Sequence, residues 1–202
     1  MANLMELLQS QLAGSAMDQL TEQMPGAQQE QTGAAANLAL STIMNALNRN
    51  AQKPGGIEAL SGALEKNHSG GILDNLGDLL NGRNQSKEAD GMGILGHLLG
   101  GGNIFNVVEM ISKGSGLSRN NSMSMLMKMA PVVMGMLGKQ KKQQQMQPRS
   151  LQDLLNNSVT QARKQAPEQD LISRILDKDG DGSAMDEIAG MGLKVLGNLF
   201  RK

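Results

Sequence analysis

The chain has 202 residues, 19 basic and 19 acidic side chains, and no cysteine. Zero formal net charge gives no global attraction to nucleic acid or an anionic membrane, and zero cysteine excludes disulfides, thiolate catalysis and cysteine-ligated zinc. With no Trp or Tyr and two Phe, the interior must be filled by Leu, Ile, Val, Ala and 16 Met, and Met fills irregular gaps without specifying one packing sharply.

Helical spacing dominates from the start. Leu4, Leu7, Leu8 and Leu12 form the stripe of a first helix. Ser15, followed three residues later by Asp18, reads as a capping box opening a second helix with Met17, Leu20 and Met24. Pro25-Gly26 stops it. A long third helix is expected over 28–49, with Ala36, Leu40, Ile43, Met44 and Leu47 on one face. After Pro54-Gly55-Gly56, a fourth helix carries Ile57, Leu60 and Leu64 into the turn 65–71, and a fifth carries Leu73, Leu76, Leu79 and Leu80. These elements make a first repeat, 1–82, with a degenerate acidic turn. Residues 83–93, polar and without period, are the expected linker.

The plan then recurs over 94–138. Ile94, Leu95, Leu98 and Leu99 form a short helix that ends at a glycine triplet. Phe105, Val108 and Ile111 mark the next, and a Met-rich helix is expected over 119–137. Sliding the chain along itself places Gly26 on Gly116, Ile43 on Val133, Met44 on Met134 and Leu47 on Leu137. Residues 139–150 read as a basic, Gln-rich tether. In the C-terminal stretch, 151–202, Leu151, Leu154, Leu155 and Val159 mark a helix that looks inserted. A second slide sets Glu65 on Asp177, Asn67 on Asp179, Gly70 on Gly182 and Asp74 on Asp186. The fold class is therefore all-α: two related helical repeats with a helix-turn-helix outline, each followed by a helix–acidic turn–helix unit.

Four stretches carry a family resemblance: Leu4–Leu12, the turn 64–80, the run 93–100, and 115–118 through 130–138. They resemble the YidB-like bacterial family of uncharacterised proteins, domain of unknown function 937. The resemblance implies a homeodomain-like helical fold and no known reaction. It also implies a first acidic turn richer in Asp, from which Glu65, Asn67 and Ser69 depart.

Asp177, Asp179, Asp181, Gly182 and Ser183 supply positions 1, 3, 5, 6 and 7 of an EF-hand-type loop over 177–188. Alternating carboxylates converge on one point if the chain turns sharply, which Gly182 permits, and Ser183 would offer its carbonyl. Position 12, where a bidentate Glu belongs, is Ile188, with Asp186 and Glu187 just before it. A weak calcium site is the expectation. The alternative is a tight turn in which Ser183 and Asp186 form a capping box.

The remaining signals are weaker. As a nucleic-acid-binding helix-turn-helix, the second long helix offers Arg119, Asn120, Asn121 and Lys128, with lysines beyond it, whereas the first opens on Gln28, Gln29, Glu30 and Gln31. Bundle packing is the simpler reading. The alternating methionines of 123–136 suit core or interface filling, and self-association or a protein partner follows if part of that stripe is exposed. The last helix, with Ile188, Met191, Val195 and Leu199 on one face and Lys194, Arg201 and Lys202 nearby, also admits a membrane-surface reading. Neither His68 nor His97 stands in a nucleophile–base arrangement. The chain is thus expected to be non-enzymatic, an interaction or structural protein, with a nucleic-acid role as the alternative. Residues 1–12 lack the basic start of a secretory signal, and no apolar run approaches ~20 residues, so a cytoplasmic location is expected.

Overall fold

The computed structural model describes residues 4–68, 70–80, 85–100 and 102–165, and every regular element among them is helical. In order these are α1 (Leu4–Leu12), α2 (Ser15–Glu22), α3 (Gln29–Ala51), α4 (Gly56–Asn67), a 3₁₀ turn (Gly71–Asn75) leading into α5 (Leu76–Leu80), α6 (Gln85–Leu99), α7 (Asn103–Ser115), α8 (Arg119–Gln143) and α9 (Pro148–Gln165).

Two long helices, α3 and α8, lie against each other at the centre. The expected face of α3, Ala36, Leu40, Ile43, Met44 and Leu47, is fully buried. Helix α8 also packs on α4, α6, α7 and the 3₁₀ turn, so every residue from 128 to 138 is buried. That enclosure explains the alternating methionines. A helix surrounded by neighbours needs no single apolar face. Met125, Met129, Met134 and Met136 are core, and Met123 and Met127 pack against it. Each such burial is worth ~1.5–3 kcal/mol. The buried side chains from α1 to α9 form one cluster.

Three local expectations change. Ser15 does not cap α2. Gly14, at φ +63°, makes the reversal after α1 and stands at the cap position, while Asp18 accepts a hydrogen bond from Gln29 Nε2 at 2.7 Å. Residues 85–93, expected as linker, are the first turns of α6. Gly91 is buried there for a packing reason: a Cβ would stand 2.1 Å from the Met127 carbonyl oxygen. That oxygen is the one left without its intrahelical donor by Pro131, which lacks an N–H. The glycine is a contact point between helices, not a hinge. Finally, the Gln-rich stretch after 138 continues α8 to Gln143. It closes through Gln145 at φ +48°, with Met146 N donating to the Lys141 carbonyl at 2.9 Å, the six-to-one bond of a Schellman ending.

The two corners between short and long helix engage each other. Gln31 Nε2 donates to the Gly116 carbonyl at 3.2 Å, and Asn121 Nδ2 donates to the Pro25 carbonyl at 3.2 Å. Gln31 and Asn121 are positions that the self-slide superimposes. So are Gly26 and Gly116, at φ +74° and +77°, and Gly55 and Gln145, at φ +72° and +48°. The same slide sets the start of α3 on that of α8 and brings α9, which looked inserted, onto α4.

Candidate binding cleft

A cleft of about 620 Å³ opens where the end of α3, the α3–α4 turn, α4 and α6 meet over α8. Its floor is Leu47 and Met134, both buried. Its walls are half-buried Leu60 and Ala63 from α4 and Ile94 and Leu98 from α6. The rim is exposed and polar: Lys53 and Pro54 in the turn and His97 on α6, with half-buried His68 at the end of α4. The volume falls in the ~300–1,000 Å³ range of ligand sites.

Local chemistry fixes this shape. Asn50 Nδ2 donates to the Ala46 carbonyl at 2.9 Å and across to the Leu98 carbonyl at 2.8 Å, binding α3 to α6 at the cleft edge. Its Oδ1 accepts from Lys53 Nζ at 3.1 Å, which holds the ammonium at the rim. The chain then reverses through Gly55, at φ +72°, a conformation that suits glycine. At Gly56 a Cβ would lie 1.9 Å from the Asn50 carbonyl oxygen, so only glycine lets α4 start this close to α3. The product is an apolar trough with the Lys53 ammonium at its edge.

A smaller space of about 400 Å³ lies between the end of α4 and the α8–α9 turn. There Lys141, buried in its stem, forms an ion pair with exposed Glu65. The hydrogen bond from Lys141, then its charge, hold the Glu65 carboxyl below the ordinary glutamate value, with Lys66 adding to the effect. Glu65 of the degenerate acidic turn is therefore engaged by a lysine. Deeper in, Lys128 Nζ donates to the Leu79 and Leu80 carbonyls at 3.3 and 3.2 Å, where α5 ends. At the α7–α8 corner, Glu109 takes hydrogen bonds from Arg119 and Lys113, which hold its carboxyl below the ordinary glutamate pKa, and the Arg119 guanidinium is held above its ordinary value in turn. Of the residues offered above as nucleic-acid contacts, Arg119 is exposed and paired with Glu109, and Lys128 is buried against the end of α5.

Asp177, Asp179, Asp181, Ser183, Asp186 and Glu187 lie outside the described residues. Among the described residues no group of three or more His, Asp or Glu side chains is arranged to hold a metal ion, and no single helix is long and apolar enough to cross a membrane. The cleft itself was invisible in the sequence. Lys53, His68 and His97 have no shared spacing, and only tertiary packing brings them to one rim.

One family model, described as a bacterial protein of unknown function (DUF937), matches residues 6–140. That stretch contains every residue lining the cleft. No curated protein and no solved structure matches the chain.

Proposed function

Because the chain belongs to the bacterial family of unknown function DUF937, whose description assigns no reaction, we propose from the cleft itself that the protein acts by binding rather than by catalysis. It is a helical interaction protein whose cleft receives the apolar face of an amphipathic helix. The apolar floor of Leu47 and Met134 under a rim of Lys53, His68 and His97 carries this reading. Its two halves are one repeated helix-turn-helix unit. The reciprocal bonds Gln31–Gly116 and Asn121–Pro25, and the matching positive φ values, support that relation.

Methionine-methyl NMR of the full chain tests the cleft. The dye 1-anilinonaphthalene-8-sulfonate combines an apolar body with an anionic group and serves as the probe. The Met134 resonance, assigned with Met134→Leu, is expected to shift saturably as dye is added and to stay fixed in Leu60→Asn. A Met134 methyl that does not move at millimolar dye removes the cleft from the function.

The second part of the reading is calcium. Asp177, Asp179 and Asp181 at alternate positions before Gly182 form half of an EF-hand ligand set. With Ile188 in place of the bidentate Glu, affinity falls below that of sensor sites, ~10⁻⁷–10⁻⁵ M. Calorimetry of the full chain should show one saturable calcium site, absent in Asp177→Ala/Asp181→Ala and not reproduced by magnesium. No heat at millimolar calcium reduces 177–188 to a capped turn.

A further inference from the structure

We propose that a second copy of this chain docks on the outer face of α6, α7 and the first half of α8, forming a symmetric dimer through Met92, Leu99, Phe105, Met123 and Met127. This face is separate from the cleft. Helix α6 turns Ile94, His97 and Leu98 to the cleft. At 100° per residue, Met92 and Leu99, seven residues apart, lie on its other flank.

Three observations lead there. The first is exposure. Among the described residues, Met92 and Phe105 are the large apolar side chains left exposed, at 39 % and 70 %. Both lie in the stretch 91–108, which holds no Asp, Glu, Lys or Arg, where an ordinary surface is ~25–35 % charged. The second is that the three helices bring these residues to one region. Gly91, beside Met92, stands against the Met127 carbonyl. Asn103, two residues before Phe105, donates to the Leu99 carbonyl at 3.1 Å. Arg119, one turn before Met123, pairs with Glu109, one turn after Phe105. The third is the contrast with the other long helix. The self-slide that sets Gln31 on Asn121 sets Gly33 on Met123 and Asn37 on Met127. On α3 that face is polar: Asn37 is exposed and accepts from Gln9 Nε2 of α1 at 3.4 Å. On α8 the same positions are half-buried methionines. Helix packing does not require them, since α3 is packed as well without them.

Charge selects the occupant. A two-fold contact sets a surface against itself, so the surface must be self-complementary. This one is uncharged at its centre, and its edge balances Asp90 and Glu109 against Lys113 and Arg119. Glu109 and Arg119 can exchange partners across the axis. Zero net charge removes repulsion between whole copies, and Met with an aromatic is the composition enriched in protein interfaces. An anionic lipid surface would call for an excess of basic residues, which the edge lacks. Five side chains are few against the ~20–30 residues of a standard interface side, so pairing is expected at micromolar concentration.

Sedimentation velocity of the full chain, from micromolar to millimolar, tests this. The variants are Phe105→Ser, whose side chain contributes little to the fold, and Met127→Asn, which gives α8 the residue α3 carries. Each is expected to keep its helical circular dichroism and to raise the dimer dissociation constant about tenfold or more, since a symmetric pair loses the side chain twice. Leu60→Asn in the cleft should leave the constant unchanged. A nitroxide on Asn120→Cys, unique in a chain without cysteine, should report one intermolecular distance that Phe105→Ser abolishes. A chain that stays monomeric at millimolar concentration overturns the pairing, as does a dimer indifferent to Phe105→Ser. Association that grows past the dimer overturns its two-fold form. Flotation of monomer with phosphatidylcholine vesicles, lost in Phe105→Ser, gives the face to lipid and overturns the second copy as its occupant.

Discussion

At the scale of single residues, the informative positions are those whose type looks wrong for their place. Gly91 sits inside a helix, where glycine costs ~0.5–1 kcal/mol relative to alanine, yet it is buried against the Met127 carbonyl. Pro131 sits inside another helix and leaves that same carbonyl without a donor. Together the two irregularities make one close crossing of α6 over α8. Gly91→Ala should therefore cost about 2–3 kcal/mol in urea unfolding, because the obstacle is backbone and cannot turn aside. Gly96→Ala on the same helix, where a Cβ meets nothing within 4 Å, should stabilise by ~0.5 kcal/mol. Equal effects from the two substitutions would reduce the crossing to ordinary helix propensity. Lys128 belongs to the same class. A lysine that is 2 % exposed is tolerable because its Nζ closes the end of α5 through the Leu79 and Leu80 carbonyls, at ~1.5–3 kcal/mol for a hydrogen bond from a charged donor.

At the scale of elements, the pattern of apolar residues was readable and the polar stretches were not. The stripe of α3 is buried as its spacing implied, as are Leu4, Leu8 and Leu12 of α1, Val108 and Ile111 of α7, and Leu151, Leu155 and Val159 of α9, since burial of one face is what the 3.6-residue period records. Phe105, expected on the α7 stripe, is instead 70 % exposed. The 83–93 and 139–150 stretches misled because composition says nothing about which polar residue meets a partner. Lys141 looks like one of several solvated lysines until α8 carries it under α4 to Glu65. That tie has a pH signature. The folded Glu65 carboxyl lies below its ordinary value, so its contribution to stability is complete above the unfolded value, ~4.3, and is lost as pH falls through the lower folded value. Glu65→Gln should be less stable than the parent at neutral pH, with the difference in urea midpoint closing on acidification. A gap that is constant with pH would assign the effect to packing. The cleft rim was illegible for the same reason as Lys141: nothing in the local sequence relates Lys53 to His97.

At the scale of the whole molecule, the all-helical class was legible because it depends on period. The way the two corners meet was not, since Gln31 and Asn121 read as polar surface until each is found on the other corner. The candidate cleft emerges only through tertiary contact, while the carboxylates of 177–188, picked out by spacing, lie outside the described residues. The central placement of α8 also bears on how the protein is made. Helix α3 carries the face that α8 covers, and synthesis completes it roughly 90 residues before α8. At ~5–20 residues per second, the nascent chain holds Leu40, Ile43, Met44 and Leu47 without their partner helix for roughly 5–20 s. Ribosome-bound intermediates that end before α8 are therefore the forms of this protein most in need of a chaperone, and the order of translation, more than the stability of the finished fold, sets its exposure to aggregation.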